Sequence, residues 1–254
     1  MTPAATPPRF IDTHAHLDDE AFAGDAAAVV ARAVAAGVGR IVNIGYRPAG
    51  WRTTLELAYH HPEVSYTLGL HPNHADEDAE PIWAELRRLI NENRPVAIGE
   101  IGLDYYRDYA PKATQLRVFD RQLQIAAEFG LPVVIHQREA ENDVRTVLRS
   151  WSGATPWVLH SFDGSRDFAE EAIERGAFIG VGGLMTRAGS SELRSILADI
   201  PLDRLLLETD APYLLPRGVK NRRNESSNIP LIAAALADLR GITIDENRER
   251  EPRL

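Results

Sequence analysis

Phe10-Ile11-Asp12-Thr13-His14-Ala15-His16 is a short apolar run that closes on a His-x-His pair. Residues two apart on a strand share a face, so His14 and His16 point the same way and can supply two ligands to one ion. With eight histidines in 254 residues, chance places such a pair in roughly one chain in four, so its weight depends on what the chain sets beside it.

Working outward, seven further short aliphatic runs follow Phe10 to Thr13: 40–44, 64–68, 95–99, 132–135, 156–159, 177–181 and 205–208. Each is nearly continuous in apolar residues, as strands buried on both faces are. Between them lie helical patterns. The clearest runs from Lys112 to Phe129, where Leu116, Phe119, Leu123, Ala126 and Ala127 recur at spacings of three and four. Gly37, Gly130 and Gly176 each stand between a helical pattern and the next strand, the position of a helix-ending glycine. Eight strands alternating with helices at roughly 30 residues per unit predict a single-domain (β/α)8 barrel of the TIM type rather than an open sheet. No Gly-x-Gly-x-x-Gly and no Walker loop is present.

Barrel enzymes build their sites at the C-terminal ends of the strands. His14 and His16 close the first run, Glu100 follows the fourth, His136 the fifth and His160 the sixth, and Asp210 lies just past the eighth. Any one of these suits a satisfied core residue. Six acids and imidazoles at one mouth do not, because buried charge without a partner is costly and cations answer that cost. Four imidazoles and two carboxylates exceed the ligands of one catalytic ion, which predicts two adjacent divalent metals. Glu100 is expected to bridge, with His14 and His16 on one ion and His136 and His160 on the other. Asp210 is expected to ligate the first ion and to act as general base toward a metal-activated water, giving hydrolysis.

Two basic features suit phosphate. Arg138 lies two residues beyond His136, and Arg217, Lys220, Arg222 and Arg223 fall without an acid between Pro216 and Asn224. Loops after the last strands of such barrels often hold phosphate, and guanidinium forks match its oxygens. Arg138, Arg222 and Arg223 are therefore substrate-binding candidates, as are His71 and His74 after the third strand. Tyr105 and Tyr106 could stack on a base or pack their loop against the rim. His60 and His61, ending a helical stretch, read as a solvated face.

Composition narrows the chemistry. The net charge of -9 argues against a protein coated in nucleic acid through bulk charge, and the absence of cysteine leaves any metal to imidazole and carboxylate. No run of about 18 apolar residues is present to span a bilayer, so the expected address is the cytoplasm. A monomer is the default.

Taken together, the motifs resemble the TatD family of metal-dependent deoxyribonucleases, amidohydrolase-like barrels. The resemblance runs from about Ile11 to Gly241 and is carried by Asp12-Thr13-His14-Ala15-His16, Gly99-Glu100-Ile101-Gly102-Leu103-Asp104, Val134-Ile135-His136-Gln137-Arg138, Leu159-His160-Ser161-Phe162 and Glu208-Thr209-Asp210-Ala211-Pro212-Tyr213. It implies a divalent-metal hydrolase of DNA, single-stranded or at its ends, acting as a 3′ to 5′ exonuclease, with His14, His16, Glu100, His136, His160 and Asp210 at Mg, Mn or Zn. The same centre could serve a small amide, ester or lactone, or a barrel that binds metal without catalysis. The chain departs from the family where Ser226 follows Asn224-Glu225, a place relatives give to proline. It departs again after Gly241, where a charged tail replaces the usual end of the last helix. Residues 1–8 and about 242–254 are accordingly expected to be flexible, and the C-terminal helix atypical or incomplete.

Overall fold

The computed structural model describes residues 10–107, 109–221 and 223–244. Eight parallel strands pair in chain order: β1 (Phe10–Ala15), β2 (Val38–Gly45), β3 (Val64–Leu68), β4 (Ala97–Asp104), β5 (Val133–Arg138), β6 (Trp157–Leu159), β7 (Phe178–Val181) and β8 (Leu205–Leu207). The first and last strands close the ring through a parallel bridge between Ala15 and Ala211 and through Asp210 N–H donating to His14 O at 2.9 Å. This is the predicted (β/α)8 barrel.

Helices α1 (Ala26–Ala35), α2 (Trp51–His60), α3 (Glu80–Asn93), α4 (Lys112–Phe129), α5 (Glu141–Ser150), α6 (Arg166–Glu174), α7 (Ser191–Asp199) and α8 (Ile229–Arg240) follow the strands in turn. The α4 pattern read from the sequence spans the observed helix, which buries Phe119, Leu123 and Ala126. It ends at Gly130, whose φ of 65° is the left-handed turn that glycine takes without strain. The core lies between strands and helices and contains Trp51, Trp83, Phe119 and Phe168, all fully buried.

Two differences from the expected elements bear on the site. β4 starts two residues later than read and runs on through Glu100 to Asp104, with a register shift against β5 between Ile98 and Ile101. Such an irregularity re-aims the side chains that follow it, and Glu100 falls within it. Gly102 follows at φ 135°, where a Cβ would fall 2.1 Å from His136 O, so only glycine lets the two strands meet here.

The last helix spans twelve residues and closes on Gly241 at φ 62°. Ile242 continues the packing, its N–H donating to Ala237 O at 3.1 Å. Residues 1–8, and 245–254 of the expected tail, lie outside the described residues. After Asn224-Glu225, Ser226–Asn228 forms a short 3-10 turn leading into α8. Among the described residues no helix is long and apolar enough to cross a membrane.

Candidate metal centre

The strand ends bring His14, His16, Glu100, His136, His160 and Asp210 to one place. The Nε2 atoms of His14 and His16 are 3.3 Å apart, as alternation along β1 requires. Glu100 enters between the histidine pairs with one oxygen on each side. Its Oε2 lies 3.5 Å from His14 Nε2 and 3.9 Å from His16 Nε2, and its Oε1 lies 2.7 Å from His136 Nδ1 and 3.5 Å from His160 Nε2. Asp210 closes the first group, its Oδ1 at 3.3 Å from His16 Nε2 and 3.8 Å from His14 Nε2. Asp210 has φ 55° and Ser161, directly after His160, has φ 45°. Left-handed backbone at non-glycine residues is a mark of constrained sites, and aspartate tolerates it better than most.

A further tier of acids orients the rings. His160 Nδ1 lies 3.0 Å from Glu208 Oε1, which also accepts the Ser161 N–H at 2.7 Å. His136 Nε2 lies 3.2 Å from Asp104 Oδ2, while Asp104 Oδ1 accepts the N–H groups of Tyr106 and Arg107. In each case the carboxylate lies against one ring nitrogen and the other nitrogen faces Glu100, the arrangement that prepares a histidine to bind a metal. Asp12 accepts from Thr209 N–H at 2.9 Å and from its hydroxyl at 2.6 Å, so it ties β1 to the segment carrying Asp210. Burial pushes the Asp12 carboxyl up to about 6 despite those bonds.

The electrostatics call for positive charge at the centre. Burial alone would lower His136 and His160. The bonds from His136 to Asp104 and Glu100 nevertheless hold it up at about 9, and Glu208 and Glu100 hold His160 at about 10. The surrounding imidazoles keep Glu100 well below the ordinary carboxylate range in spite of its burial. Ring nitrogens of His14, His16, His136 and His160 converge on the carboxylates of Glu100 and Asp210, and divalent cations fit that donor set in place of ring protons. Two overlapping groups, His14 with His16 and Glu100 and His14 with His160 and Asp210, have ligand atoms close enough to share an ion. A third, His71 with Glu100 and His136, meets the same distance criterion. Yet His71 Nδ1 accepts the Asn73 N–H at 3.0 Å, and burial lowers its pKa to about 3. The neutral ring then carries its proton on Nε2, 3.7 Å from Glu100 Oε1, and presents a donor rather than a lone pair.

The other expected contacts divide. Arg138, at the end of β5, lays its guanidinium over the Tyr106 ring at 3.8 Å. His74 stands apart from the cluster, its Nδ1 3.4 Å from Glu77 and its ring 5.7 Å from that of Tyr46. Arg223 is not brought to the cluster: it bonds Asp25, Glu225 and the Ala21 carbonyl and lies over Phe22 at 4.6 Å. Acids of α1's cap and of its own loop claim the charge that the sequence reading assigned to phosphate. Arg222 lies outside the described residues. Tyr105 packs, donating its hydroxyl to Asp143 at 2.6 Å, whereas Tyr106 is exposed.

Sequence reading passed over Asp12, Asp104 and Glu208. All three sit inside the motifs quoted above, but their partners Thr209, His136 and His160 are distant in the chain, so spacing carried no sign of their roles.

A parallel barrel with imidazoles and carboxylates gathered where its strands end defines a metal-binding (β/α)8 protein of the hydrolase kind. Comparisons make this specific: the family model for TatD related DNase matches residues 11–250, and the chain belongs to that family. It is 40% identical over 237 residues to the 3'-5' ssDNA/RNA exonuclease TatD of Erwinia tasmaniensis, covering 91% of this chain and 92% of that protein. It is 36% identical to a Bacillus subtilis metal-dependent hydrolase, YabD, with 92% of each covered. Among solved structures, the Escherichia coli TatD homologue YjjV superposes with a TM-score of 0.90 at 34% identity, covering 96% of this chain and 95% of that one.

Proposed function

We propose that this chain hydrolyses phosphodiester bonds at single-stranded DNA ends, in the 3′ to 5′ direction, with two divalent cations. The observation that carries the reading is the placement of Glu100, whose two oxygens face separate histidine pairs, His14 with His16 and His136 with His160. His14, His16 and Asp210 with Glu100 Oε2 would hold one cation, and His136 and His160 with Glu100 Oε1 the other. Bound there, divalent cations neutralise a phosphodiester and make water acidic enough to attack it near neutral pH.

The chain's own groups complete the chemistry. Asp210, held in its charged form by His16, His160 and His14 against the cost of burial, accepts the proton of the attacking water. His71 offers its Nε2–H to a phosphoryl oxygen. Arg138, kept flat on Tyr106, presents its guanidinium fork to a phosphate. Glu208 and Asp104 keep the His160 and His136 rings turned with a lone pair inward. The relatives named as exonucleases and as metal-dependent hydrolases support this substrate and this cofactor class.

The test is hydrolysis of a labelled single-stranded oligonucleotide with Mg, Mn or Zn, with and without chelator, beside a panel of small esters, amides and lactones. Stepwise shortening from the 3′ end that chelator stops and metal restores is the expected result. Turnover of the small substrates alone would refute the DNA reading while leaving the metal centre in place.

A further inference from the structure

Two tyrosines outside the chemistry above stand beside His16. Tyr46, the residue after β2, has its ring 5.2 Å from the His16 ring at 90°, and is held from behind by His71 at 6.3 Å and His74 at 5.7 Å. Tyr213, three residues after Asp210, has its ring 5.9 Å from His16 at 67°. Tyr213 is 52% exposed, yet it is fixed at both ends: its hydroxyl donates to Asp19 at 2.7 Å and its N–H to Asp210 O at 2.7 Å. An exposed aromatic ring leaves apolar surface in water, and one immobilised there has also given up its rotamer freedom. Such a ring at the mouth of a metal centre is a preorganised surface for a flat aromatic partner.

Beyond Arg138, the opposite flank suits a phosphate chain poorly. A cavity of about 550 Å³ beside Tyr105 is lined by Glu139, Glu141, Asp143 and Asp163, with no lysine or arginine among its lining residues. Phosphates running into it would meet like charge.

Resting on the phosphodiesterase reading, we propose that Tyr213, with Tyr46 beside it, seats the nucleobase of the terminal nucleotide whose phosphodiester lies at the Glu100 cluster. Every base has a π-face, so the seat holds the end of the strand without selecting its sequence. Tyr213 is a positioning residue: it acts through the placement of the phosphate and not on the reacting atoms.

The experiment compares two single-stranded oligonucleotides, one with a normal 3′-terminal nucleotide and one ending in an abasic residue, on wild type, Tyr213→Ala and Tyr213→Phe. Loss of one stacked base corresponds to roughly a 5- to 140-fold weakening. The base-bearing substrate should show a KM rise of that size with Tyr213→Ala while its kcat changes far less. The penalty should be several-fold smaller on the abasic substrate, and Tyr213→Phe, which keeps the ring, should restore most of the KM. Melting curves confirm that the variants are folded, and Tyr213→Trp, retaining an aromatic face, serves if the alanine variant is not. Equal penalties on the two substrates would overturn the seat alone. A wild type that cleaves neither would overturn the phosphodiesterase reading, and the seat with it.

Discussion

Replacing Asp210 by Asn keeps the side chain's shape while removing its charge and its ability to take a proton. Its Oδ1 sits 3.3 Å from His16 and 3.8 Å from His14, so the substitution acts at one corner of the cluster. A positioned general base contributes about 10²- to 10⁴-fold, which corresponds to about 2.7–5.4 kcal/mol of barrel-mouth chemistry at roughly 1.36 kcal/mol per decade. kcat on the single-stranded oligonucleotide should fall by that factor. Because Asp210 is also placed as a ligand, weaker cation binding would lower the rate by a different route. The two are separated by measuring kcat as a function of metal concentration to saturation, with metal affinity taken from calorimetry. A general base predicts a deficit that persists at saturating metal. If excess metal restored kcat to within a few-fold of wild type, Asp210 would be a ligand only, and the assignment of the proton to it would be refuted. Near-UV circular dichroism should match wild type, since the exchange is isosteric and leaves the Asp12 to Thr209 bonds untouched.

Gly102→Ala should destabilise strongly, because its Cβ would fall 2.1 Å from His136 O at a φ of 135°. Strain of about 1–3 kcal/mol or more is expected, lowering Tm by roughly 3–10 °C at this chain length, and a melting temperature unchanged from wild type would contradict the observed strand contact. Arg138→Ala should raise KM for oligonucleotide with little loss of stability, whereas Arg223→Ala should leave KM alone and lower Tm by a few degrees, since its partners are Asp25 and Glu225. The reverse pattern in paired kinetics and melting curves would return Arg223 to the substrate. Glu171 is held at about 2, chiefly by its bonds from Arg149, with Arg145 adding to them against a smaller effect of burial. An unfolded glutamate takes its proton near pH 4.3, so this network contributes stability above that pH and loses it as pH falls from about 4.3 toward 2. The pairs are partly solvated, so Glu171→Gln should cost no more than about 1 kcal/mol at neutral pH, and its deficit against wild type in pH-dependent melting should vanish near pH 2.

The parts of the molecule legible in the sequence are those governed by local period and local chemistry. Val64 to Leu68 was read to the residue, and Lys112 to Phe129 matches α4, because continuous apolar runs and three-four spacing are properties of a segment by itself. The rim histidines were legible because each directly follows an apolar run, and strand ends are where this fold places chemistry. What local reading could not supply was direction. Arg223 and Arg138 look alike in sequence, and only the fold reveals that Asp25 waits beside one and Tyr106 beneath the other. His71 shows the same limit in finer detail, since its role turns on which nitrogen meets the Asn73 N–H.

Glu100 shows how far a small departure from regular structure reaches. On an unbroken β4, alternation would place it by its parity with Ile98 and Gly102, and a carboxylate with one oxygen toward β1 and one toward β5 and β6 would need a wide swing of its side chain. The register shift between Ile98 and Ile101 supplies that turn in the backbone. Gly99 and Gly102 make it possible, because a Cβ at either would strike β5, at Val134 or at the His136 carbonyl. The position of Glu100 is therefore built by two side chains that are absent as much as by the one present. The same reasoning explains why Asp104 arrives under His136: once the strand has shifted, the four residues from Ile101 to Asp104 pair with β5, and the carboxylates of Glu100 and Asp104 meet the two nitrogens of a single ring. Glu100 is thus linked through His136 to Asp104, whose bonds to the N–H groups of Tyr106 and Arg107 fix the loop on which Arg138 rests.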